Sequence, residues 1–145
     1  MAIGNRKSAM FYAFAALLSL FGLADALYLT IEHVTGQSVQ CTIVAGCSEV
    51  LSSSYAAIGN VPLAAVGAAA YFSVFSLATL ATFGYRVAAG LLAPITIAMA
   101  LVSLWLIYLQ AFVIRAFCQF CLLSAAITFG LLILALFARR TTGTR

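Results

Sequence analysis

Four cysteines stand in two pairs of unlike spacing. Cys41 and Cys47 are six residues apart, and Cys118 and Cys121 bracket Gln119-Phe120 in a Cys-x-x-Cys motif. Paired thiols do three kinds of chemistry: they staple a fold, bind zinc, or pass electrons by thiol–disulfide exchange. Zinc sites with four thiolates use two closely spaced pairs, and Cys41 and Cys47 do not supply the second one, so no metal is expected. Two residues between cysteines make a tight, exchange-prone ring, and such motifs lower the thiol pKa. The Cys118–Cys121 pair therefore points to redox chemistry before a structural role.

The rest of the chain must hold these thiols in a membrane. Of 145 residues, 66% are hydrophobic and 7% charged, against about 25% charged in soluble domains. Four apolar stretches predict four spanning helices, near 10–31, 62–84, 88–113 and 117–138, with an outer loop at 32–61. Each reaches the length of about 20 residues that crosses the hydrocarbon core. Runs such as Leu131-Leu132-Ile133-Leu134 lack the alternation of a barrel strand. The expected fold is an all-α integral membrane protein, a four-helix transmembrane bundle forming a single domain over 1–145. A cleaved signal peptide ending at Ala24-Asp25-Ala26 is a competing reading of the first stretch. The apolar run resumes at Leu27 and reaches spanning length, which favours an uncleaved helix.

Charge sets the orientation. The net charge of +4 comes from cations placed singly or in pairs between apolar stretches, a pattern of membrane orientation rather than of nucleic-acid binding. With four spans, Arg6, Lys7, Arg86, Arg139, Arg140 and Arg145 fall on one side, which the positive-inside rule makes cytoplasmic together with both termini. Arg115, Glu32, His33 and Glu49 fall outside. All four cysteines then lie at the outer face, away from the cytosolic reductants.

On that face, Cys118 and Cys121 are expected in the first turn of helix 4. Unpaired N–H groups and the positive dipole end favour a thiolate there. Cys121 is deeper by about 4.5 Å, at 1.5 Å per residue, and is the better placed to meet a lipid-soluble oxidant. Cys118 is better placed to meet another thiol. In the loop, Ser48 to Ile58 can form a short amphipathic helix with Val50, Leu51, Ser54, Tyr55 and Ile58 on one side.

Other residues could serve such a site. Asp25 is a carboxylate within helix 1, where charge is costly; it could relay a proton or simply sit protonated or near the interface. His33 is a weaker proton candidate. Tyr28, Tyr71, Trp105, Tyr108, Phe117 and Phe120 could line an apolar pocket or mark the interfacial belt. Phe117 and Phe120 flank the motif and are the best pocket candidates. Arg115 could favour nearby thiolates or bind lipid phosphate. Pro94 marks a kink or a first-turn proline in helix 3.

In this order, on four spans, the motifs resemble the vitamin K epoxide reductase family in its bacterial form. They are Cys41 and Cys47, Val50-Leu51-Ser52-Ser53, Gly59 and Pro62, and Phe117-Cys118-Gln119-Phe120-Cys121. DsbB-type oxidases, also four-helix quinone enzymes, look like the reverse arrangement, with Cys-x-x-Cys first. The resemblance implies a bacterial inner-membrane relay. An extracytoplasmic thioredoxin-fold, DsbA-like partner delivers electrons to Cys41, Cys47 attacks Cys118, and Cys121 faces a quinone, ubiquinone or menaquinone. Ser53 looks like the family's serine that polarises the quinone region, with Phe117 and Phe120 beside it. The chain departs from the animal members. Their tyrosine four residues after the second motif cysteine is Ala125 here, and their helix 2 asparagine has no match among Leu63, Ala64 and Ala65. Thiol-driven quinone reduction, rather than epoxide reduction, is the activity implied. Many bacterial members carry a fused thioredoxin domain; this chain ends five residues after Arg140, so a separate partner is expected. The alternative from another class is a non-catalytic scaffold or small transporter subunit with two structural disulfides.

Overall fold

In hydrocarbon, every backbone N–H and C=O must find a partner within the protein, which favours long uninterrupted helices. The computed structural model describes residues 6–35, 57–58, 61–115 and 119–142. Four long helices carry these segments: α1 (Arg6–Thr35), α2 (Leu63–Thr82), α3 (Arg86–Tyr108, continued by a π-helical stretch Leu109–Ile114) and α4 (Gln119–Thr142). Each is long and apolar enough to cross a membrane.

The helices form a bundle in which α1 and α3 are each flanked by α2 and α4. Helices α1 and α4 run antiparallel. Phe11 stacks near Phe137 at one end, with ring centroids 6.3 Å apart, and Tyr28 meets Phe120 at 5.3 Å at the other. Between them, Gly130 faces Leu18 closely enough that a Cβ would lie 3.0 Å from a Leu18 methyl.

Burial follows small residues rather than hydrophobicity. On α1 the buried stripe is Tyr12, Ala15, Ser19, Gly22, Ala26 and Leu29, at alternating spacings of three and four. Phe14, Leu17, Phe21 and Ile31 point outward. Lipid tails are as apolar as leucine, so close backbone approach at small residues, not exclusion of apolar groups from water, decides which face turns inward. Large exposed side chains such as Phe72, Leu101 and Trp105 form the surface that lipid covers.

The connection between α2 and α3 is a Schellman turn. Tyr85 N–H donates to Leu80 C=O at 3.1 Å and Gly84 N–H to Ala81 C=O at 3.0 Å. Gly84 takes φ 102°, which a residue with a Cβ rarely adopts. At the other end of α3 the π-helical stretch closes on Arg115, at φ 59° and ψ 34°, whose N–H donates to Gln110 C=O. This left-handed residue ends the helix four positions before α4 begins.

The helix ends differ from the hydropathy limits. α1 runs past Ile31 to Thr35, where Thr35 Oγ1 donates to Ile31 C=O at 2.8 Å. Helical hydrogen bonds close within the chain and do not stop where the apolar run stops. α2 starts at Leu63 because Pro62 is extended, with φ −62° and ψ 140°. α3 starts at Arg86, and α4 starts at Gln119 and continues through Arg139 and Arg140, cations that suit a helix C-terminus. Pro94 lies well inside α3, so it is not a first-turn proline.

The expected loop helix is corrected at its end. Ala57–Ile58 (β1) and Val61–Pro62 (β2) pair antiparallel, Ala57 opposite Pro62 and Ile58 opposite Val61. Cross-strand bonds replace the helical ones there. The remaining residues of that expected helix, 48–56, lie outside the described residues.

Candidate functional site

Cys121 is the third residue of α4 and is half-buried. It therefore lies among the four N-terminal N–H groups that have no partner within the helix, at the positive end of the dipole, as expected. Cys118, Cys41, Cys47, Ser53 and Phe117 lie outside the described residues.

Just before Cys121, Phe120 packs against Tyr28 of α1 at 5.3 Å with an interplanar angle of 49°. This aromatic pair closes α1 to α4 at the end of the bundle that carries Cys121. Inward of it the helices present polar groups, which are rare at such depth. Ser124 and Thr128 follow Cys121 by three and seven residues, so all three share one face of α4. At 1.5 Å per residue they lie about 4.5 Å and 10.5 Å deeper than Cys121.

Tyr71 of α2 reaches across the bundle to that face. Its hydroxyl donates to Ser124 C=O at 2.7 Å, and its oxygen lies 2.7 Å from Ser124 Oγ and 3.0 Å from Thr128 Oγ1. With its own proton on the carbonyl, the phenol oxygen can accept from both hydroxyls. The ring lies directly over Gly22 of α1. A Cβ on Gly22 would fall 2.5 Å from Tyr71 Cδ1 and 2.6 Å from Cζ, and closer still to Cε1. One side chain on α2 thus packs against α1 and bonds to α4.

Asp25 is one turn outward of Gly22 on α1. It is 9% exposed, and its Oδ2 is buried with no hydrogen-bond partner among the described residues.

The aromatic candidates separate into two groups. Tyr71 is buried in the bundle, while Phe120, half-buried, and Tyr28, exposed at 41%, pack on each other beside Cys121. Trp105 and Tyr108 stack at 5.7 Å, Tyr108 meets Phe112 at 5.3 Å, and all three are exposed along α3. They face lipid, not the site. Arg115 is exposed, and His33 is half-buried in the last turn of α1.

Four residues were not anticipated: Gly22, Gln110, Ser124 and Thr128. Gln110 is 2% exposed in the π-helical stretch, and such stretches often sit at functional sites. The available signal was a polar side chain inside an apolar span, which in lipid must face protein.

Residues 13–136 match the family model of the vitamin K epoxide reductase family. The chain belongs to this family. The matched span runs from α1 to α4 and takes in all four cysteines. The chain is also 35% identical over 122 residues to the thiol-disulfide oxidoreductase LTO1 of Arabidopsis thaliana. That match covers 78% of this chain and 32% of the plant protein, so the chain spans about a third of that relative's length. As a vitamin K epoxide reductase family member, the chain is a membrane bundle.

Proposed function

We propose that the protein is a membrane thiol:quinone oxidoreductase. It oxidises an extracytoplasmic thioredoxin-fold, DsbA-like protein and passes the electrons through two cysteine pairs to ubiquinone or menaquinone. The observation that carries this reading is the place of Cys121. It is a half-buried thiol in the first turn of a spanning helix, between the Tyr28–Phe120 pair and the polar groups of Tyr71, Ser124 and Thr128. Family membership and the name of the plant relative support thiol chemistry.

A quinone ring needs apolar surfaces, and its carbonyl oxygens need hydrogen-bond donors. Tyr28, exposed, and Phe120, half-buried, offer the first beside Cys121, and the unpaired Asp25 carboxyl one turn along α1 offers the second, so the residues fit the group. Bound there, a quinone supplies a two-electron acceptor soluble in lipid. By the family resemblance, Phe117 joins the lining and Ser53 polarises the same region.

The chain's own steps balance. A partner thiolate attacks Cys41 of the Cys41–Cys47 disulfide, and Cys47 leaves as the thiolate. The partner's second thiol displaces Cys41 and leaves the partner oxidised. Cys47 attacks Cys118 of the Cys118–Cys121 disulfide, and Cys41 resolves that link. Cys118 and Cys121, now thiols, give two electrons and two protons to the quinone and close their disulfide again.

The arginines Arg86, Arg139 and Arg140 support cytoplasmic termini and outward-facing cysteines in a bacterial inner membrane. The test is reconstitution with a reduced dithiol and either ubiquinone or menaquinone. Hydroquinone should form with the wild type and not with Cys118→Ala or Cys121→Ala. A wild type that consumes neither quinone would overturn the reading.

A further inference from the structure

Asp25 carries the one buried side-chain oxygen left without a hydrogen-bond partner among the described residues. Its depth can be read from its neighbours. Tyr28 meets Phe120 across α1 and α4. Because these helices are antiparallel, three residues inward on α1 leads to Asp25, and four inward on α4 leads to Ser124. Ser124 binds the hydroxyl of Tyr71, and the ring of Tyr71 packs on Gly22, one turn from Asp25 on α1. The carboxyl therefore stands one turn beneath the aromatic pair and one turn above the Tyr71–Gly22 contact, level with the helix turn that follows Cys121.

A carboxylate buried in a spanning helix with no cation or donor beside it is strongly disfavoured. The neutral acid avoids that cost, and it is also a hydrogen-bond donor. Tyr71 makes its hydrogen bonds with Ser124 and Thr128 of α4, and none reaches Asp25 Oδ2. The arrangement favours a neutral, proton-bearing acid on α1, level with the turn of α4 that follows Cys121.

We propose that Asp25 is the acid that protonates the quinone oxygen as Cys118 and Cys121 are oxidised. This rests on the thiol:quinone reading above. As the sulfur–sulfur bond forms, the cysteine pair loses two electrons and two protons. Asp25 gives its proton to the quinone oxygen, and one proton from the cysteine pair restores the acid. The second thiol proton goes to the other quinone oxygen. The sum is one disulfide and one hydroquinone, with Asp25 unchanged. Tyr71, anchored to α4 and seated on Gly22, is a positioning residue that holds the floor beneath the carboxyl.

The test compares wild type, Asp25→Asn and Asp25→Glu in lipid nanodiscs with a short-chain ubiquinone. Asparagine keeps the size and a donor but carries no transferable proton. General acid catalysis contributes on the order of 100-fold or more. Asp25→Asn should therefore lower kcat for quinone reduction by roughly that factor, with KM for quinone changed by less than about threefold, and Asp25→Glu should recover part of the loss. Exchange of Cys118 and Cys121 with a small dithiol, measured without quinone, should stay at the wild-type level. Infrared difference spectra of the wild type should show a carboxylic-acid C=O band that shifts when quinone is added and is missing from Asp25→Asn. If Asp25→Asn fails to fold, the wild-type infrared band decides alone: a quinone-responsive acid band supports the proposal, and its absence overturns it. An Asp25→Asn variant that reduces quinone within about twofold of the wild type also overturns it. Failure of the parent reading looks different, because the wild-type cysteines would then not be oxidised by quinone at all.

Discussion

The aromatic ring of Tyr71 occupies the space where a side chain on Gly22 would stand. A Cβ there would lie 2.6 Å from Cζ of the ring, well inside van der Waals contact. Tyr71 is 1% exposed and pinned at its far end by α4, so the ring has little freedom to withdraw. Gly22→Ala should therefore destabilise the bundle by about 1–3 kcal/mol, the usual cost of overpacking. Thermal unfolding in detergent checks this. Gly67→Ala, where a Cβ would meet nothing within 4 Å, is the control and should unfold like the wild type.

The hydroxyl of Tyr71 gives a second prediction. Tyr71→Phe and Thr128→Val each remove one side of the 3.0 Å pair. Interhelical hydrogen bonds in membranes average about 0.6 kcal/mol and reach about 1.7. Tyr71→Phe should cost about 1 kcal/mol, because it also frees Ser124. The double variant should cost less than the sum of the two singles. Strict additivity in a double-mutant cycle would show that the two hydroxyls do not interact.

Why some of this was legible and some not has a physical basis. Four spans announce themselves because a charge-poor run of spanning length has few other uses, and the Cys-x-x-Cys motif announces its place because it abuts such a run. Which side of each helix faces inward is hidden, since Phe14 and Phe21 toward lipid are as apolar as Tyr12 and Leu29 toward the core. Small residues such as Ala15, Ser19, Gly22 and Ala26 carry that information instead. Ile58 was assigned to a helix by its spacing. Yet Gly59-Asn60 between it and Val61 is a dipeptide favoured in two-residue hairpin loops, and the strand pair bears that preference out. The partnership of Tyr71 with Ser124 and Thr128 joins residues more than fifty positions apart, which no local pattern reveals. The roles of Cys41, Cys47, Cys118, Ser53 and Phe117 rest on the family motifs, because these residues lie outside the described ones.

Orientation is open to a direct check. Reporter fusions after Gln37 and after Arg115 should report the outside, and fusions after Arg86 and Arg140 the inside. An inside signal from the Gln37 fusion would place Cys41 in a reducing compartment and remove the basis for the relay.

The entry point of electrons can be trapped. Disulfides move through mixed disulfides, and removing the thiol that resolves one makes it persist. A thioredoxin-fold partner that lacks its own resolving cysteine, its remaining thiol first activated as a mixed disulfide with a small aromatic thiol, should give a lasting covalent complex with Cys47→Ala: the Cys41 thiolate displaces the small thiol, and no Cys47 remains to release the partner. The complex should vanish on reduction, and Cys41→Ala should not form it. Peptide mass spectrometry should place the link at Cys41; a link at Cys118 would reverse the proposed order.

The most direct measurement of the central claim is the redox state of the four thiols themselves. Purified protein is reduced, freed of reductant, and incubated anaerobically with or without quinone before alkylation and mass counting. Quinone should protect Cys118 and Cys121 from alkylation within one turnover and then, by exchange, Cys41 and Cys47, while samples without quinone remain fully alkylated. Four thiols that stay alkylatable with quinone present, or four cysteines that no reductant opens, would contradict a thiol-to-quinone relay.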